Sequence, residues 1–267
     1  MPGEQREAAG PVPPPYAPPR TARPLPPPPA PVAEAARGAT HGMPPASWGW
    51  RQSLAGYLIG FGPMLALSLW ALNSEAADRP LETITTVAAV GVILQSLVLY
   101  AWQTGAAWFF SLRRPEQPLA AWGFVRPTKA FFWTIPVALV TVYLIAYVHD
   151  IIVHPEQQEI LTLFPRTAEG IALLTLLAVV MAPLFEELFF RGFLFRGLAN
   201  SWGWVAGGLV SAVAFGSAHM QLSVMIPLCA LGFLLAWVYK QTGSLWTSIA
   251  LHAIFNAISV VAWVASG

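Results

Sequence analysis

The sequence predicts an all-α protein, a polytopic bundle of about seven transmembrane helices around an intramembrane cavity. Three observations carry this. The chain is 56% hydrophobic and only 10% charged, whereas an ordinary soluble domain carries about 25% charge. Mean hydropathy is +0.57. Apolar runs long enough to span a bilayer, about 20 residues each, alternate with short polar breaks from Trp48 onward.

Residues 1–47 stand apart, holding 15 of the 25 prolines. Such a segment cannot bury a core and is expected to be a disordered, polyproline-like tail. It has no apolar stretch of the signal-peptide kind. Residues 48–267 form the expected transmembrane domain. Candidate spans fall at 54–72, 84–110, 130–148, 170–198, 203–219, 222–239 and 245–265. Pro183 interrupts the fourth, because its missing amide cannot bond the Val179 carbonyl; a kink or a fresh helix start is expected there. Trp50, Trp70, Trp108, Trp122, Trp202 and Trp204 lie near helix ends, as in an interfacial aromatic belt.

Charge orients the bundle. The tail and one set of loops carry Arg51, Arg113, Arg114, Arg126, Lys129, Arg196 and Lys240, while the opposite loops hold Arg79 and Arg166 among seven acidic residues. Cationic loops stay inside, so the expected protein is a multi-pass cell-membrane protein with a cytoplasmic N-terminus. The lipid bilayer is its expected surrounding. The net charge of +1 argues against nucleic acid as a partner, and Cys229, the one cysteine, excludes an internal disulfide.

Charged side chains at membrane depth are expensive, about 2.5–3.5 kcal/mol each on insertion scales. This chain nevertheless keeps Glu186, Glu187, Arg191, His219 and His252 in apolar segments. Glu187 and Arg191 are four apart and share a helix face, so they can pair. Glu186 points about 100° away and is left to face a cavity. His252 and Asn256 are likewise four apart, presenting two donors toward one point, where they could stabilise an oxyanion or simply bond neighbouring helices. Carboxylate plus imidazole can activate water.

Three readings of the set compete. Glu and His could hold zinc, but there is no HExxH spacing and no two histidines lie within one turn, so zinc is not favoured and no cofactor is expected. A metal-free acid–base site would use Glu186 with His219 on water. Proton-coupled transport is the third reading, disfavoured because the ionisable residues all fall in the C-terminal third without a repeat.

Taken in order, Glu186-Glu187-x-x-x-Arg191, Phe215-x-x-x-His219 and His252-x-x-x-Asn256 resemble the three signature motifs of the CAAX-prenyl-protease-2 and bacteriocin-processing (CPBP, or ABI) family. Phe190-Arg191-Gly192 and Gly243-Ser244-Leu245-Trp246 resemble its wording too, and the likeness covers roughly residues 119–260. The resemblance implies an intramembrane endopeptidase that cuts a peptide or membrane-protein substrate. Glu186 and His219 would activate water, His252 and Asn256 would stabilise the intermediate, and Glu187 and Arg191 would support them. Some relatives are immunity or scaffold proteins, so the alternative it implies is a non-catalytic membrane partner. One expectation conflicts with upright helices. Counted at 1.5 Å per residue, Glu186 lies about 18 Å deep, His252 about 12 Å and His219 about 25 Å. Tilt, a break at Pro183 or a later start for the helix carrying His219 would have to close the gap.

Overall fold

The computed structural model describes residues 42–43, 46–72, 84–111, 118–154, 161 and 163–266. Among them there is no strand. The helices are α1 (Trp50–Leu72), α2 (Thr86–Ser111), the short α3 (Pro118–Ala121) and α4 (Phe131–Val153). The 35-residue α5 (Ala168–Trp202) follows, then α6 (Trp204–Ala218), α7 (Met225–Thr242) and α8 (Leu245–Ala265). All seven sequence-predicted spans are helical. Five helices are long and apolar enough to cross a membrane: α2, α4, α5, α7 with its lead-in from Leu222, and α8. α6 has 15 residues and reaches only about 22 Å.

Pro183 neither breaks nor restarts α5. The turn before it is wound as a π-helix, Leu176–Met181, in which the Ala182 amide bonds the Leu177 carbonyl five residues back. Widening the turn shifts the hydrogen-bond register just where proline lacks an amide. A second π segment, Leu188–Phe195, carries Arg191.

Seven helices alternate in direction. Trp50 N–H donates to Ser201 Oγ at 2.9 Å, Ser47 Oγ to the Ser111 carbonyl at 3.3 Å, and the amides of Thr128 and Leu245 to the carbonyls of Thr242 and Gly123. These bonds gather the starts of α1, α4, α6 and α8 with the ends of α2, α5 and α7. At the other end the Ile84 amide bonds the Leu163 carbonyl, and Arg166 lies over Trp263 at 4.6 Å. The first end carries Arg51, Arg126, Lys129, Arg196 and Lys240; the second carries Asp150, Arg166 and Glu169.

Small residues set the close approaches. A Cβ on Gly207 would stand 2.6 Å from the Ala199 backbone nitrogen, so α6 crosses α5 nearly in backbone contact. Phe189, Phe190, Phe193, Phe195 and Phe215 fill the centre, all buried. The proposed tail, 1–41 and 44–45, lies outside the described residues. Its end is packed: Met43 is buried, and the Gly42 carbonyl abuts Gly243.

Candidate active site

The two glutamates face different surroundings. Glu187 is fully buried. Its Oε1 accepts from Arg191 Nη1 at 2.9 Å and from His252 Nδ1 at 3.0 Å, and its Oε2 accepts from Ser248 Oγ at 2.6 Å. Arg191, also fully buried, donates through Nη2 to the Gly232 carbonyl at 3.0 Å. Its guanidinium lies 4.4 Å from the Phe215 ring centre, a cation–π contact in a dry setting. The expected Glu187–Arg191 pair is therefore present, and one carboxylate joins α5 to α8.

Glu186, one residue earlier and on another face, lines a cavity of about 240 Å³ with His219, His252 and Asn256. Its Oε2 is buried without a hydrogen-bond partner among the described residues. The Tyr100 hydroxyl of α2 lies against this carboxylate, and the Tyr100 ring stacks on Phe185 with centroids 4.9 Å apart and planes 10° apart.

His219 closes α6. Its Nδ1 is 2.9 Å from the Phe215 carbonyl. A carbonyl only accepts, so Nδ1 donates, and in the neutral ring Nε2 then holds the lone pair. His252 has the same division: Nδ1–H donates to Glu187, leaving Nε2 as its second ring nitrogen. Asn256 Nδ2 donates to the Ala178 carbonyl at 2.7 Å. This fixes the carboxamide and leaves its second N–H free. Asn256 thus ties α8 to the π turn of α5, the helix-bonding role its type suggested, and it also lines the cavity.

The depth conflict resolves through the length of α5 and the stagger of α8. α5 continues to Trp202, so Glu186 is 16 residues from that end, about 24 Å, level with His219 at the end of α6. α8 starts deep: Leu245 lies beside Gly192, ten residues inside the end of α5, about 15 Å. Seven residues further along α8, His252 reaches the same level.

Tyr100, Ser248 and Ala178 were not among the sequence candidates. Ser248 could have been found, since it stands one turn before His252 on the same face. Tyr100 had no local signal, because its partner lies on another helix. Among the described residues no three His, Cys, Asp or Glu side chains form a group that could hold a metal. The constellation gathers a carboxylate oxygen without a partner among the described residues, two imidazoles and a carboxamide around one space. That is the equipment for adding water to a carbonyl.

Residues 168–258 match the family described as "Type II CAAX prenyl endopeptidase Rce1-like". The chain is also similar to "Putative membrane peptidase YdiL" of Bacillus subtilis, 29% identical over 93 residues, 35% of this chain and 38% of that protein. It resembles "UPF0177 protein YxdF" of Lactococcus lactis, 31% identical over 78 residues, 29% of this chain and 42% of that protein. The matches thus span about two fifths of these curated relatives. No solved structure matches the chain significantly.

Proposed function

Residues 168–258 belong to the Rce1-like, CAAX-protease (CPBP) family, and from that premise we propose that this chain is an intramembrane endopeptidase working by glutamate-activated water. The observation that carries the reading is the separation of the glutamates. Glu187 is saturated by Arg191, His252 and Ser248, while Glu186 keeps an unpaired oxygen in the cavity it shares with both histidines.

In this mechanism a water sits between Glu186 and His219 Nε2. Glu186 takes its proton as the oxygen attacks the peptide carbonyl. The carbonyl π pair moves onto oxygen, and the resulting oxyanion accepts from Asn256 Nδ2–H and from protonated His252. Collapse breaks the C–N bond, and Glu186 returns the proton to the leaving amine. Atoms and charge balance with water as the only co-reactant. The reading routes every step through these side chains and water, and none through a metal.

The substrate is a peptide or membrane-protein segment that reaches the cavity within the bilayer. In this reading the cationic end of the bundle faces the cytoplasm, which the lysine and arginine bias supports, with the N-terminus on that side of the cell membrane.

The test is cleavage of a peptide library by the purified protein in detergent micelles, alongside Glu186→Gln. Cleavage lost only in the variant supports the reading. A well-folded wild type that cuts nothing, or a Glu186→Gln protein that cuts normally, overturns it in favour of a non-catalytic membrane partner.

A further inference from the structure

Beyond Glu186 and His219 lies a second recess, of about 160 Å³. Ser96, Tyr100, Glu186 and His219 line both spaces, so the recess opens directly beside the proposed base. Its remaining walls are apolar, chiefly Phe61, Met64, Leu99 and Phe190, with one exception. Gln103 of α2 also lines it, only 6% exposed.

The Gln103 carboxamide makes no hydrogen bond with any other described residue. It offers two donors and an oxygen with two lone pairs. The residue as a whole is nearly buried, yet its carboxamide oxygen and nitrogen are not among the enclosed unpaired atoms, so they reach open space where the residue lines the recess. The carboxamide is therefore set for a group that enters the recess. It carries no charge, so it suits a neutral partner that both donates and accepts. A peptide group is such a partner, and in an extended strand each residue presents one beside its side chain. An apolar cavity of about 150 Å³ holds a benzene-sized group, so this recess suits a leucine- or methionine-sized side chain.

We propose that the recess is a substrate subsite. It takes the apolar side chain of a residue next to the scissile bond, while the Gln103 carboxamide pairs with the peptide group of that residue. The proposal rests on Glu186 acting on the bond beside it.

The probe is a library of fluorogenic nonapeptides in detergent micelles, with cut sites mapped by mass spectrometry. From the best-cut peptide, two esters are made, each replacing the N–H of one bond flanking the scissile bond by oxygen. With the wild type, one ester should lose about tenfold in kcat/KM, a typical single hydrogen bond. With Gln103→Leu, the parent peptide should already have lost that tenfold and the ester should cost nothing more. Additive losses, or no loss from either ester, overturn the subsite. Gln103→Leu should also keep or raise the melting temperature; a marked fall would make Gln103 a structural residue and overturn the proposal. Glu186→Gln assayed in parallel keeps the readings separate: a normal rate there refutes the base while the ester cycle still judges the subsite. A library that the wild type leaves uncut counts against both.

Discussion

Glu187 and His252 meet across two helices, Nδ1 standing 3.0 Å from the Oε1 that also receives Arg191 at 2.9 Å. One carboxylate oxygen thus holds a guanidinium and an imidazole at once. It fixes the ring orientation of a cavity residue from a position that never reaches the cavity itself.

Glu187→Gln should therefore cost stability first. It leaves Arg191 buried beside a neutral amide, and removing one partner of a buried pair costs about 3–5 kcal/mol. Glu186→Gln should leave the melting temperature close to wild type and abolish turnover. Thermal unfolding in detergent and peptide cleavage, measured on both variants, check the contrast. Equal loss of stability in the two would refute the division.

Asn256→Ala should lower kcat by about 100- to 1000-fold, the usual loss for one oxyanion donor, with KM nearly unchanged. Because Asn256 also bonds Ala178, a modest fall in melting temperature should accompany it. A variant that mainly raises KM would move Asn256 from the intermediate to substrate binding.

Tyr100→Phe keeps the ring stacked on Phe185 and removes only the hydroxyl beside Glu186. Losing a hydrogen bond to a charged group costs about 1.5–3 kcal/mol. The expected result is a kcat at least about tenfold lower with unchanged melting temperature. Wild-type turnover in this variant would make Tyr100 a wall residue only.

A chelator should leave the rate unchanged, and elemental analysis should find no stoichiometric zinc. Zinc present in the wild type and lost in His252→Ala would replace the glutamate–water mechanism with a metal one.

Gly207→Ala should destabilise the fold by about 1–3 kcal/mol, the usual cost of overpacking. The added methyl meets the Ala199 backbone at 2.6 Å rather than a side chain that could swing away. A melting temperature equal to wild type would show that α6 can move off α5.

Hydropathy located the helices because lipid imposes one requirement on every span, and the boundaries agree within a few residues. The Glu187–Arg191 pairing was legible because it is a contact within one helix, four residues apart. What the sequence withheld was stagger. Nothing in Gly243-Ser244-Leu245 states that α8 begins level with Gly192 rather than with Trp202, since that depends on how α3 and its loop pack beneath the turn. The π winding before Pro183 was hidden for a related reason: proline announces a disturbed ladder but not how the ladder is repaired. Tyr100 and Gln103 had no signal, being defined by neighbours on other helices.

The early end of α6 has a consequence for water supply. From His219 to Gln221 the backbone leaves the helix about 22 Å in from the start of α6, within a hydrocarbon core about 30 Å thick. Backbone out of helix is tolerated at that depth only beside protein or water, and this stretch borders the cavity that holds Glu186. The break that makes α6 too short to span therefore sets backbone carbonyls and amides beside that cavity, where water could bond them. Under the proposed function, a hydrolase enclosed by lipid must import its second reactant, and the turn that delivers His219 would be where water is held.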